Sequence, residues 1–565
     1  MRKSTALGLT ALVLGSIAVR LSPLWSFLYW GSDTGEYFAI LRSLVQTHHV
    51  STMYDGWGVT YPYFPGMFFV QVGLVDLAAL DLPTVLNLLV PILGALSVLP
   101  MFLIARRATG EDRVALFAAA LLVGAIPHAY TTAHPAPATL GNLLALAGLL
   151  LFLRLRTDRT AIVPLVLVTG TLIATHHLSL YFFLLMVVGT IVVRGLARPW
   201  RWTAGAKREV AYAGILLAGT FAYWLVYATT FREFILTDVD IRPWWALLVL
   251  FGLGLLLLAA IVYTRTRIAW RYRPRYPGLR HRGTAYASAV GTILILGVVS
   301  VLFDVPGTTF RVSADGLLYF VPLVLLISFS APGRKFLDFH ADGLSVNAWL
   351  VVLLGSAIVG IVLAPRVLIP YRHMEYLIVP FAILSGVGFF RLLDLAAVRG
   401  RFRAAVGIAI GIVFVANAFT GVPPPSTLAG WREGTIPAAL DPAYWARDHA
   451  SGLVVSDHHG STTVFGFGGL NATWDRTRSP FLPESLTDPY AGLSKIDSPS
   501  GQRDGTYVWI DRDMEAGVRL TPWEAATPMD PAVIAKFDSA PFLKVFDNGY
   551  ARLYWIAWGC LPTTC

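Results

Sequence analysis

Long apolar runs alternate with short polar stretches along most of this chain. A run of about 17–25 apolar residues is the length that crosses a bilayer as a helix, at about 1.5 Å per residue against a hydrocarbon layer of about 30 Å. Thirteen such runs are read, at about 4–22, 83–105, 113–130, 139–153, 161–176, 178–193, 210–230, 244–263, 285–303, 316–331, 345–364, 374–391 and 404–421. The stretch 66–80 is apolar as well, but counting it as a span would reverse every later loop and move the basic loops to the other side. It is therefore expected to lie in the membrane surface as an interfacial helix. After residue 421 the pattern changes: 422–565 is polar, rich in Pro and Gly, and opens with Gly421-Val422-Pro423-Pro424-Pro425. Short runs at 452–456, 506–510 and 550–556, separated by Asp/Gly turns, predict strands. The predicted fold class is a polytopic α-helical membrane protein of about 13 spans (1–421) with a small C-terminal mixed α/β domain (422–565).

Composition agrees: 56% of the 565 residues are hydrophobic, and the mean hydropathy is +0.62. Cytoplasmic loops collect Lys and Arg, so their distribution orients the chain. With the N-terminus inside, inner segments hold 26 of the 44 Lys and Arg, and outer membrane-proximal segments hold 7. The expected arrangement is a multi-pass cell-membrane protein with a cytoplasmic N-terminus and an extracytoplasmic C-terminal domain. The net charge of +10 thus reports topology. The Arg265–Arg282 run reads as a cytoplasmic loop meeting anionic lipid, and not as a nucleic-acid patch. Cys560 and Cys565, the only cysteines, fall on the side where a disulfide is permitted and are too few for a zinc site.

Ionisable groups are nearly absent from span centres and gather at the ends read as outer. A proton pump or ion carrier would place some at mid-membrane. The acidic pair Asp33 and Glu36, in Ser32-Asp33-Thr34-Gly35-Glu36-Tyr37, shares one face of a short helix expected over 32–47. A solvated helix start, with Asp33 as cap and Glu36 in the first turn, accounts for the same residues. The loop continues through Tyr54-Asp55-Gly56-Trp57 and Tyr61-Pro62-Tyr63-Phe64, aromatics suited to a membrane interface or to stacking on a sugar. Elsewhere on the outer side stand His176 and His177, Arg311, and Arg372-His373-Met374-Glu375. Such a set suits sugar transfer from a lipid-linked donor. Cations at headgroup depth would hold the phosphate, with Arg372 first and His373 and Arg311 behind it. Asp33 would serve as base and Glu36 as its companion, with Tyr37, Tyr61, His176, His177 and Glu375 binding substrate. Snorkelling at a helix end explains Arg372 equally well, and a hydrogen-bonded helix terminus explains the two histidines.

On the long first outer loop and its acidic motif, the chain resembles the GT-C superfamily of membrane glycosyltransferases. That resemblance implies a polyprenyl-phosphate or polyprenyl-pyrophosphate sugar donor and Asp33 as general base. Many spans followed by an outer domain resemble the catalytic subunit of oligosaccharyltransferase, but its WWDYG motif is missing. The nearest string is Thr473-Trp474-Asp475-Arg476. Thr175-His176-His177-Leu178-Ser179 and Lys544-Val545-Phe546-Asp547-Asn548-Gly549-Tyr550 look like the archaeal dolichyl-phosphate-mannose-dependent mannosyltransferases of N-glycosylation. The resemblance implies a dolichyl-phosphate sugar donor, a lipid- or protein-linked glycan acceptor and no resident cofactor. A pyrophosphate donor would bring a divalent metal, for which Asp238 and Asp240 form a second acidic cluster. The alternatives are oligosaccharyltransferase-like glycan transfer to protein and a lipid or sugar transporter. Against the transporter stand the apolar span centres and the lack of an internal repeat.

Overall fold

The computed structural model describes residues 2–197, 203–238, 279–305, 308–337, 342–363, 368–395, 401–424, 431–498, 500–521 and 524–559. Among these, eight helices are long and apolar enough to cross a membrane: Lys3–Trp25, Leu82–Thr109, Pro137–Leu155, His177–Gly195, Ala204–Tyr227, Ala314–Arg334, Gly343–Val362 and Pro370–Asp394. The pair Asp112–Gly124 and Ile126–Ala133, bent by 57°, makes a ninth if counted as one span. Three more of the apolar runs form the shorter helices Arg159–Thr175, Tyr286–Leu302 and Arg403–Phe419. The last two are the apolar parts of the helices Leu279–Leu302 and Arg401–Phe419, of 24 and 19 residues. The 244–263 run, Asp240, Cys560 and Cys565 lie outside the described residues, as does the side chain of Asp238.

The bend has a local cause. Pro127 has no N–H and its ring would strike the carbonyl of Val123, so the helix stops at Gly124, passes through extended Ala125 (ψ 105°) and restarts at Ile126. The second half then leaves the bundle line and carries Tyr130 and Thr131 toward the first loop. That loop holds the helices Thr34–Thr47 and Gly66–Ala78, close to the two short helices expected there.

The C-terminal part is built on a five-stranded sheet: β3 (Leu453–Val455), β4 (Asn471–Ala472), β5 (Gly505–Asp511), β6 (Phe542–Asp547) and β7 (Ala551–Ile556). Its order is β4-β3-β5-β7-β6, with β3 parallel to β4 and β5, and β7 antiparallel to both β5 and β6. Three of these strands lie on the three runs expected from the sequence. The two largest buried cores are one of helix-packed aliphatics and Phe, and one around Trp474, Trp509, Phe481, Phe537 and Tyr554 beside the sheet; a smaller one joins Tyr37, Leu41, Leu44 and Phe68 of the first loop.

The two parts meet at the first loop. The short antiparallel pair β1 (Tyr29–Trp30) and β2 (Gly434–Thr435) joins the end of the first span to the chain leaving the last described helix of the bundle. Below it, the Thr34–Thr47 helix packs on the His458–Thr463 helix and the π-turn Val464–Gly468. Backbones nearly touch there: a Cβ on Gly35 would stand 2.1 Å from the Thr462 carbonyl oxygen, and one on Gly466 would stand 2.2 Å from that of Gly35. Only glycine permits this approach. Phe38 and Tyr29 close the seam on Phe467, each with ring centroids 4.8 Å away.

Candidate active site

Asp33 occupies the cap position of its helix, yet its carboxylate makes no capping bond. It turns toward the C-terminal part instead. Oδ1 meets His458 Nε2 at 2.9 Å and accepts from the Ser32 hydroxyl at 3.2 Å. Oδ2 accepts from Tyr61 Oη at 3.2 Å, and Tyr37 Oη donates to Tyr61 Oη at 3.3 Å. Glu36 is fully buried; its Oε1 accepts from Tyr54 Oη and Gly58 N–H, each at 3.0 Å, while Oε2 has no partner. The solvated-helix reading of this pair therefore does not hold. The carboxylates face inward, and Tyr54, Tyr61 and Trp57 from the aromatic segment close around them and around His458.

These surroundings split the two acids. Burial alone would raise Asp33, but the hydrogen bond and charge of His458, with the hydroxyls of Tyr61 and Ser32, hold it below its ordinary value. Glu36 is pushed up to about 7 by burial and by the charge of Asp33, against the Gly58 N–H, His458 and Tyr54. His458 is pulled down by burial and raised further by Asp33, Glu36 and Asp457, for a net rise. One ionised acid and one acid about half protonated at neutral pH thus sit three residues apart, the pattern that separates base from companion.

A second polar knot lies beside the first. Glu433, next to β2, accepts from Tyr130 Oη and from the Ser32 N–H (2.6 Å), and pairs with His134 Nε2 at 3.2 Å. Burial raises Glu433, but His134, Tyr130 and Ser32 bring it below its ordinary value; His134 is correspondingly raised against its own burial. The preceding residue points the other way: Arg432 binds Asp457 and, at 2.6 Å, Asp511 of the sheet core. Two dipeptides, Arg432-Glu433 and Asp457-His458, therefore interlock the halves. In each, one residue binds its own side and the other binds across.

Arg372 is one-third exposed and donates through Nη1 to Glu375 Oε1 (2.8 Å) and Thr131 Oγ1 (3.3 Å). Glu375 is buried and also accepts from Asn142 at 3.3 Å. The charge of Arg372 reaches Tyr37, Tyr130, His134, His176 and His177, which gathers these groups around one region. His176 Nδ1 is tied to Ser179 Oγ at 2.8 Å, and His177 packs on Phe231 (4.4 Å) and Phe64 (5.2 Å).

Two sequence candidates stand apart. His373 bonds Ser356 Oγ at 2.8 Å and packs edge-on to Phe182, buried between helices. One residue along a helix is a turn of about 100°, so its side chain leaves the face that Arg372 uses. Arg311 makes an exposed ion pair with Asp304 at 3.0 Å, a local contact across seven residues. Among the described residues, no three His, Cys, Asp or Glu side chains gather as a metal cage. Sequence reasoning missed His458, Glu433 and Arg432. The visible signal was Asp457-His458-His459 directly after a strand-like run, where Asp457 caps a helix by accepting from Gly460 N–H at 3.0 Å.

The arrangement is that of a multi-pass helical membrane protein whose first-loop acids pack against its C-terminal part. No protein-family model matches the chain, and no curated protein matches it significantly. Among solved structures, the arabinofuranosyltransferase AftD from Mycobacteria aligns over 100% of this chain at 14% identity with a TM-score of 0.51. This chain spans 40% of AftD's length. ArnT from Cupriavidus metallidurans, bound to undecaprenyl phosphate, aligns over 98% of both chains at 13% identity, with a TM-score of only 0.41. The likeness to AftD shows that this chain shares its fold over the aligned residues.

Proposed function

We propose that this chain is a glycosyltransferase that moves mannose from a dolichyl-phosphate donor to a glycan acceptor at the outer membrane face in N-glycosylation. The observation that carries glycosyl transfer is the Asp33 carboxylate: one-fifth exposed, held ionised, and beside Tyr37, which the charge of the partly exposed Arg372 also reaches. The AftD fold supports the same class. Mannose, dolichol and N-glycan rest on the two sequence strings at 175–179 and 544–550, and the outer location rests on the loop bias of Lys and Arg.

In this reading Asp33 removes the proton from the acceptor hydroxyl as its oxygen attacks the anomeric carbon. The bond from that carbon to the phosphate oxygen breaks, and polyprenyl phosphate leaves with the electron pair. Arg372 meets the charge that develops on the phosphate; its Nε and Nη2 have no protein partner among the described residues, and Glu375 orients it. Tyr61 and Tyr37 line the acceptor side of Asp33, and Glu36, in its protonated fraction, keeps a second negative charge away from the acceptor.

The test is glycan mass spectrometry on surface glycoproteins from cells carrying Asp33→Asn, the deletion or the wild type. A glycan short by one hexose in variant and deletion alike is expected. A complete loss of glycan would favour glycan transfer to protein, and normal glycans in both strains would refute the reading.

A further inference from the structure

We propose that His458, supplied by the C-terminal part, is the positioning residue that readies Asp33 to take a proton on Oδ2. The inference rests on the glycosyltransferase reading above and deepens it.

The geometry distinguishes base from positioner. A His–Asp pair at 2.9 Å could work either way, with Asp33 orienting a histidine base or the histidine orienting an aspartate base. Access decides between them. The Asp33 side chain is 21% exposed and His458 is 1% exposed. The imidazole is boxed by the edge of Trp57 (centroids 4.9 Å, 89°) and by Trp431 (5.3 Å). Its Nδ1 is buried and meets neither substrate space nor a protein partner. An acceptor hydroxyl can reach Asp33 and cannot reach His458.

The occupancy of Asp33 then selects the oxygen. Oδ1 is filled by His458 and Ser32, while Oδ2 accepts from Tyr61 at 3.2 Å; the Tyr37 hydroxyl stands 3.5 Å from Oδ2, but its single proton goes to the closer Tyr61 Oη at 3.3 Å. Oδ2 therefore retains the open site.

His458 is itself held from behind. It opens a helix capped by Asp457, Asp457 is clamped by Arg432, and the His458 N–H donates to the Arg519 carbonyl at 3.3 Å. The charged and titratable groups facing the imidazole are Asp33 and Glu36 from the first loop and Asp457 and His459 from its own segment. Arg432 stands behind Asp457. The imidazolium can thus hold the aspartate in one rotamer and in its ionised form without touching substrate, and the C-terminal part completes the base.

The test uses the full-length protein in lipid nanodiscs with dolichyl-phosphate mannose as donor probe and two readouts. The first is transfer rate against pH for wild type, His458→Gln and His458→Ala. Loss of the cation lets burial raise Asp33, so the acidic limb of kcat should move up by about one pH unit or more, with a fall of about 10- to 100-fold at neutral pH and little change in KM. The glutamine variant, which keeps a donor, should recover part of the rate and none of the limb. The second readout is the imidazole titration of His458 by NMR, identified by its loss in His458→Gln; it should fall in Asp33→Asn. A wild-type acidic limb in both histidine variants overturns the proposal and leaves Asp33 as base. A His458 titration unmoved by Asp33→Asn overturns the pairing. Full transfer by Asp33→Asn removes the base assignment itself, and this proposal with it. Should His458→Ala fail to fold, His458→Gln carries both tests.

Discussion

Glu36→Gln isolates the electrostatic cost that the pocket places on its second acid. Glu36 is raised from 4.5 to about 7, with burial the larger cause and the Asp33 charge the next. A shift of that size corresponds to about 3 kcal/mol between the protonation states. The sign follows from proton counts: between pH 4.5 and 7 the folded chain binds more protons at this position than the unfolded chain. Stability from this group is therefore full below about 4.5, falls as pH rises, and levels off above about 7. Glutamine does not titrate, retains an Oε1 to accept from Tyr54 and Gly58, and places its amide where unpartnered Oε2 stands. Unfolding in denaturant, compared between the two proteins at a series of pH values, cancels every other titrating group to first order. The stability difference should be smallest near pH 4.5 and should grow in favour of Glu36→Gln by about 2–3 kcal/mol at pH 8. A difference that stays flat across that range, or grows in the opposite direction, would refute the account of this pocket.

Three further outcomes are expected. Gly35→Ala forces a Cβ against the Thr462 carbonyl and should cost about 1–3 kcal/mol, with faster proteolytic release of the C-terminal part. Glu433→Gln strips a buried histidine of its counter-charge and should lower stability by about 3 kcal/mol in thermal unfolding, most strongly at mildly acidic pH where His134 is protonated. Arg372→Met should reduce kcat for sugar transfer by about 100-fold with folding intact, and Arg372→Lys should lie between, because lysine keeps the charge and loses the planar fork.

The helical bundle was legible because apolar run length is an additive signal that needs no knowledge of partners. Its break at Ala125 was also written in the chain, in Pro127, but a hydropathy average over 113–130 blurs a single proline. Asp33, Glu36, Tyr37 and Tyr61 were legible as a local cluster, since all four fall in the first loop. The pocket's other wall was not. His458 and Glu433 reach it from 425 and 401 positions away, and only the docking of a sheet onto a loop brings them there. Grouping charges by span end placed His373 with Arg372, although adjacent residues on a helix face different neighbours, and assigned Arg311 to the donor phosphate, although Asp304 pairs with it locally.

The 425 positions between Asp33 and His458 are also an interval in time. At about 5–20 residues per second, a ribosome needs roughly 20–85 s after making the acidic loop before it makes the imidazole. Through that interval the loop is already beside the membrane, with its acids lacking their cation. In that interval the Asp33 carboxylate lacks the imidazole whose hydrogen bond and charge hold it below its ordinary value. The imidazole arrives only at position 458 of 565, so a chain released before that point lacks the pairing altogether.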